Sequence, residues 1–266
     1  LVMVAVAVSA PLYVFFGWLS DKVGRKWVLW FGMTLALLAF FPGFHLMAKY
    51  ANPALQEAEV RMPVNVIADP ATCHLQFDPV GKAVFTSSCD IAKSALANAG
   101  VSYVNEVGPP GVPARVDVGS AEVISVEGEG LDKAGLKAAK ADFDTRLKAA
   151  LATAGYPAKA DVSRMDIAAL FGVMMIFVVA ATALYGPQAS ALVELFPTRV
   201  RYTALSLPYH VGTGWVGGFV PFTAFAIVAA VGDIYSGLWY PFAFTAISVV
   251  TCLLFLPETN KRSLHD

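Results

Sequence analysis

The sequence predicts an all-α polytopic membrane protein with a soluble α+β domain inserted between two of its helices. Composition is the first reason. Hydrophobic residues make up 57% of the chain and charged residues 15%, whereas an average soluble domain is nearer half apolar and about a quarter charged. Segregation is the second: residues 1–48 and 165–256 hold nearly all the long apolar runs, while 50–163 hold most of the charges. A formal net charge of -1 gives no basic excess for a nucleic-acid partner.

A hydrocarbon core about 30 Å thick needs roughly 20 mostly apolar residues in helical form, because every backbone group must be satisfied within the segment. Five stretches meet or approach that length: 1–19, 27–48, 165–192, 203–231 and 237–256. The first opens at Leu1 already inside an apolar run, without a basic leader or a small-residue cleavage site. That predicts a membrane helix already under way rather than a signal peptide, with further helices expected upstream. The fourth contains Pro208, Pro221 and several glycines, which membrane helices tolerate.

Orientation follows from the short connections. Lys22, Arg25 and Lys26 follow the first stretch, Arg199 and Arg201 the third, and Lys261 and Arg262 the fifth. Alternating spans put these three connections on one face, and Lys and Arg accumulate on the cytoplasmic side. The opposite face receives the polar segment and the short loop around Asp233 and Ser236, which has no Lys or Arg. Residues 49–163 are thus expected outside the cytoplasm, in the periplasm of a bacterial inner-membrane protein.

After the first stretch comes Gly17-Trp18-Leu19-Ser20-Asp21-Lys22-Val23-Gly24-Arg25-Lys26. Gly17 and Gly24 allow close backbone approach and a tight turn. Asp21 can cap a neighbouring helix N-terminus, and the basic residues can anchor at an anionic membrane surface. After the third comes Glu194-Leu195-Phe196-Pro197-Thr198-Arg199-Val200-Arg201, and the fifth closes on Pro257-Glu258-Thr259. The first motif resembles the G-x-L-[SA]-D-[KR]-x-G-R-[KR] loop of the major facilitator superfamily at every defined position. The second resembles the E-x-F-P-T-x-x-R stretch between helices 10 and 11 of that superfamily. The third resembles its P-E-T-x-G-R close of helix 12, with Lys261 where the family has glycine. The run from Arg201 to His210 followed by Gly212, Gly214, Gly217 and Gly218 looks most like the metabolite:proton symporters, relatives of proline/betaine, shikimate and dicarboxylate permeases. Sugar porters share the Glu194 and Pro197 pattern.

The resemblance implies that 1–48 carries helices 8 and 9 with a cytoplasmic gating loop at Gly17, Asp21, Lys22, Gly24, Arg25 and Lys26. It implies that 164–266 carries helices 10 to 12, the loop residues Glu194, Pro197, Arg199 and Arg201, and a cytoplasmic tail. The fold would be the C-terminal part of a twelve-helix transporter whose two halves rock about a substrate site near the bilayer midplane. Its partners would be a small-molecule substrate, protons, the lipid bilayer and the N-terminal half of the same transporter. An enzyme is not expected, nor a cofactor. The competing functions are a sugar-porter-type facilitator and a non-transporting anchored protein that binds a ligand or partner; a complete gating loop favours transport, since an anchor needs no such motif.

Ionisable groups inside membrane spans are costly and are functional candidates by default. His210 lies nine residues into a helix starting near Arg201, roughly 13 Å deep at 1.5 Å per residue. It could carry the coupled proton or bind an anionic substrate; it could equally be a packing histidine bonded to a carbonyl. Tyr209, Trp215, Tyr185 and Gln188 could line a polar cavity, although aromatic residues there also serve core packing and interfacial belts. Gly214 and Gly218 form a G-x-x-x-G face suited to close helix contact.

Residues 49–163 exceed an ordinary loop and suffice for a small core. Alternating stretches near 60–68, 101–107 and 114–126 suggest strands. Helices are expected over 88–98 and 131–154, the latter with apolar residues at 136, 139, 143, 147 and 151. The proline-glycine run at 108–113 marks a rigid turn. Cys73 and Cys89, in an oxidising compartment by the derived topology, are expected to pair as a disulfide; two free thiols are the alternative. His74 beside Cys73 lacks a second ligand pair at zinc spacing, so no metal site is expected. The segment shows no nucleophile-base set, glycine-rich phosphate loop or paired carboxylates.

Overall fold

A computed structural model describes residues 1–79 and 83–260; Lys261 and Arg262, which complete the basic set above, lie outside the described residues. In chain order the elements are helices α1 (Val2–Val23), α2 (Arg25–Ala51) and α3 (Pro53–Arg61), strand β1 (Val64–Ala68), helix α4 (Ser88–Ala99), strands β2 (Tyr103–Val107), β3 (Arg115–Val118) and β4 (Ala121–Ile124), and helices α5 (Lys133–Thr153) and α6 (Ile167–Leu195). Then come α7 (Arg201–His210), a π-helical segment Val211–Gly217, α8 (Val220–Val231) and α9 (Trp239–Phe255). Among the described residues, five helical runs are long and apolar enough to cross a membrane: Val2–Val23, Arg25–Ala51, Ile167–Leu195, Arg201–Val231 and Ser236–Phe255. The fourth is not uniform. Three glycines within Val211–Gly217, all poor helix formers, lie where the backbone widens to π geometry.

The chain divides into two compact units. The first comprises residues 1–50, 166–220 and 238 onward. Its helices contact one another through small residues, as expected where lipid removes the hydrophobic drive between helices and close packing must hold them. A side chain at Gly186 on α6 would sit 3.1 Å from the Tyr13 carbonyl oxygen and 3.2 Å from the Gly17 nitrogen of α1. At Gly32 of α2 it would sit 2.9 Å from the Ala180 oxygen of α6. Phe16, Val28 and Ala183 form the buried centre of this three-helix contact, flanked by Leu12, Leu19 and Val179. Outward faces carry large apolar side chains, Met3 at 83% and Phe255 at 76% exposed, a surface suited to hydrocarbon rather than water. The N-terminus of α6 is set by Asp166, whose carboxylate accepts the Ala169 N–H at 2.9 Å.

The second unit comprises residues 51–165 and 221–237. Its sheet has the order β2-β1-β3-β4, with β1 parallel to β2 and antiparallel to β3, and β3 antiparallel to β4. Period-two alternation sends Val64, Val66, Ala68, Val116 and Val118 into a core shared with Leu96 of α4 and Leu136, Phe143, Leu147 and Leu151 of α5. The other face carries the polar pairs, Asn65 donating to Glu106 at 2.9 Å and Arg115 pairing with Asp117 and Glu122, beside exposed Val104 and Ile124.

Two details depart from the sequence reading. Residues 60 and 61 end α3, which Asn52 caps by accepting the Leu55 N–H at 3.3 Å with Pro53 in the first turn; the strand starts only at Val64. The stretch 114–126 is a hairpin that turns at Gly119. Cys73 and Cys89 are disulfide-bonded, with Cα atoms 5.2 Å apart. Tyr156 donates to the Met62 carbonyl at 2.7 Å, and burial pushes its hydroxyl up to about 12.

Candidate functional site

The three motifs, far apart in sequence, meet within the first unit. Arg25 opens α2 and turns its guanidinium toward the C-terminal end of α6. There Nη2 donates to Glu194 Oε1 at 3.2 Å and Nε to the same carboxylate at 3.3 and 3.4 Å. Nη1 donates to Ser20 Oγ at 2.6 Å and pairs with Asp21. The side chains of Arg25 and Glu194 are only 11% and 13% exposed, so water screens them little. The segment after α9 closes the cluster. Thr259 Oγ1 donates to Glu194 Oε2 at 2.6 Å, and Glu258 Oε1 accepts the Arg25 backbone N–H at 2.8 Å. Glu258 therefore puts its negative charge on the N-terminus of α2, the favourable end of the helix dipole; Asp21 bonds Arg25 instead.

Gly24 links α1 to α2 with φ 117° and ψ 145°, a region essentially confined to glycine. A side chain there would also lie 2.2 Å from Glu258 Oε2. Gly24→Ala is expected to cost about 1–3 kcal/mol in backbone strain and to displace Glu258 from the α2 N-terminus. A thermal unfolding midpoint equal to wild type would count against this geometry.

The remaining motif residues are dispersed. Lys26 Nζ donates to the Leu253 carbonyl at 2.8 Å, and Lys22 lies 4.3 Å from the ring centroid of Trp18, a cation–π contact. Gly17 faces Gly186 in the α1–α6 contact. Arg201 donates to the Phe196 carbonyl at 3.1 Å and so closes the turn between α6 and α7, while Pro197 and Arg199 are exposed.

A cavity of about 670 Å³ lies between α2, α6 and α9, lined by Leu29, Met33, Tyr185, Gln188, Ser248 and Thr251 among others. It brings together Tyr185 and Gln188 but not the candidates of α7 and the π segment. His210 is bonded locally, Nδ1 to the Ser206 carbonyl at 2.7 Å, with its ring edge-on to Tyr209. An imidazole that donates from Nδ1 keeps Nε2 as an acceptor. Trp215 is 71% exposed. Among the described residues, no group of three or more His, Cys, Asp or Glu side chains could hold a metal ion; His74 Nδ1 instead bonds buried Asp90 at 2.8 Å.

Glu258, Thr259 and Ser20 are the site residues that the sequence reading did not single out. The signal for the first two was present in Pro257-Glu258-Thr259, whose match to the family pattern is interrupted at Lys261.

Five helices long and apolar enough to cross a membrane, with α1, α2, α6 and the segment after α9 tied by an ion cluster, give the architecture of an integral membrane protein. Comparison with known proteins places it further. Residues 147–266 match the family described as sugar (and other) transporter. Over 71 residues the chain is 37% identical to a citrate-proton symporter of Klebsiella pneumoniae, covering 26% of this chain and 16% of that protein. Over 93 residues it is 31% identical to the glycine betaine/proline/ectoine/pipecolic acid transporter OusA of Dickeya dadantii (strain 3937), covering 35% of this chain and 18% of that protein. No solved structure matches. The matches thus span less than a fifth of the length of these relatives. By these matches the chain is similar to symporter-type transporters of the major facilitator superfamily.

Proposed function

We propose that this chain works as part of a proton-coupled symporter, moving a small organic acid, betaine or amino-acid-like metabolite across a bacterial inner membrane by alternating access, together with the N-terminal half of the same transporter. The observation that carries the reading is the meeting of Arg25, Glu194 and Glu258, from three separate stretches of chain, in one cluster. A non-transporting anchor has no need to tie the ends of α2, α6 and α9 with a breakable ion cluster. A protein that alternates between two states does, because a small differential free energy sets their populations. On this reading 1–48 forms helices 8 and 9 and 164–266 forms helices 10 to 12. The cluster faces the cytoplasm, and residues 49–163 form a domain in the periplasm.

The activities of the two relatives, citrate-proton symport and betaine/proline transport, favour a charged or zwitterionic small metabolite. The description of the matching family favours a second reading, a sugar porter. Uptake of citrate, glycine betaine, proline and a hexose into proteoliposomes, with and without an imposed proton gradient, separates the two. Gradient-stimulated uptake of one of the first three is expected; gradient-independent hexose uptake would replace the proposal with the second reading.

His210 is the proposed proton or substrate group. His210→Gln keeps a polar side chain of similar reach but no titratable ring. Its uptake is expected to lose the pH dependence of wild type between about pH 5 and 8. An unaltered pH profile would remove His210 from the coupling path.

A further inference from the structure

Any α-helix leaves its last four carbonyls without intrahelical donors, and a sheet edge leaves a row of unpaired backbone groups. In the second unit these two deficits cancel. Helix α8 ends at Val231, and its last carbonyls are met in succession by one edge strand, β2. Ala229 O accepts from the Tyr103 hydroxyl at 2.6 Å. Ala230 O and Val231 O accept from Asn105 Nδ2 at 3.2 and 2.9 Å. Gly232 O accepts from the Tyr103 backbone N–H at 2.8 Å.

Tyr103 and Asn105 are two residues apart, so both project from the same face of β2. Gly232 makes the close approach possible. Its φ is +94°, and a side chain there would fall 2.2 Å from the Tyr103 carbonyl oxygen and within 3.1 Å of its ring. Burial raises the Tyr103 hydroxyl well above its ordinary range, so it remains a donor at any physiological pH. The turn that follows is tied to the same unit. Tyr235 N–H donates to Asp233 at 2.9 Å, and Gln56 of α3 donates to the Tyr235 hydroxyl at 3.4 Å.

We propose that the α/β unit is the C-terminal cap of the fourth apolar helix, with Tyr103 and Asn105 clamping residues 229–232 in place of water. The helix end and the sheet edge then form one cooperative structure. Whatever loosens β2, a bound partner or loss of the disulfide, releases the end of that helix. The interaction surface is the β2 edge, and its partner is a helix end of the same chain.

The test is amide hydrogen exchange of the full chain in lipid nanodiscs, comparing Tyr103→Phe/Asn105→Ala with Tyr156→Phe. The control removes another buried tyrosine hydrogen bond of the same unit, distant in sequence from β2. The clamp variant is expected to speed exchange across 228–237 at least about tenfold. Tyr156→Phe should leave that segment unchanged while speeding exchange in 60–68. Unaltered exchange at 228–237 in the clamp variant, or equal acceleration by Tyr156→Phe, overturns the proposal. Should the clamp variant fail to fold, Asn105→Cys/Val231→Cys in a Cys252→Ser background supplies a second measurement. A short bifunctional thiol reagent should join the two cysteines within one chain in native membranes, and failure to do so overturns the proposal as well.

Discussion

Arg25→Ala is expected to reduce initial uptake at least tenfold and to lower the thermal midpoint of the detergent-solubilised protein by several degrees. The substitution removes every donor that reaches Glu194 from α2, leaving that carboxylate with the Thr259 hydroxyl. It also strips Ser20 Oγ and Asp21 of their shared partner. Removing one member of a buried ion pair costs about 3–5 kcal/mol, most of it from the charge left behind; with Arg25 and Glu194 still slightly exposed, about 2–3 kcal/mol is expected here. If the cluster stabilises one transport state, that difference shifts the two-state ratio by about 30- to 150-fold. Arg25→Lys should recover little, because an ammonium cannot donate to Glu194 and Ser20 from a rigid fork. Arg25→Ala/Glu194→Ala should be less damaging than the sum of the single changes, since neither charge is then stranded. Uptake and melting of Arg25→Ala within error of wild type would mean that the cluster is an incidental surface arrangement.

The membrane helices were legible because a bilayer allows few solutions: long apolar runs bounded by charge must be helical. Leu195, Arg201 and Phe255 end or begin helices within a few residues of where hydropathy changes. Helix α3 was not legible from its apolar pattern, since Pro53–Arg61 mixes polar and apolar residues without a stripe; Asn52 and Pro53, a cap and a first-turn proline, were the cue. The motif residues could be named from spacing, yet their convergence could not. Arg25 and Glu258 stand 233 positions apart, and no local pattern encodes a partner at that range. The clamp at Gly232 was hidden for the same reason, with the loop around Asp233 readable only as short and uncharged by Lys or Arg. Tyr185 and Gln188 share a cavity whose lining does not include Tyr209, His210 or Trp215; those three lie on α7 and the π segment, which do not border it.

Reducing the disulfide, or replacing both cysteines by serine, should destabilise the α/β unit by about 3 kcal/mol, the chain-entropy value for a loop near 15 residues; the native loop spans 16 positions. For a domain of this size that corresponds to a fall of roughly 10 °C in its unfolding midpoint. The cross-link holds the segment before α4 in place, and the bonds beside it depend on that placement. His74 bonds Asp90 through both its backbone N–H and Nδ1, each at 2.8 Å. Gln76 Nε2 donates to the Asp90 carbonyl at 2.8 Å. Cys89 itself is fully buried, so Cys89→Ser should be worse than Cys89→Ala, because it leaves a hydroxyl in an apolar core. Because α4 leads into β2, loss of the staple is also expected to speed exchange at 228–237, linking the redox state of one cysteine pair to a membrane-helix end. The check is unfolding of the full chain with and without dithiothreitol, followed by intrinsic fluorescence and by the mobility shift on non-reducing gels. A midpoint that reductant does not move, in protein whose gel mobility shows the bond broken, would mean that the bridge contributes nothing to the unit's stability.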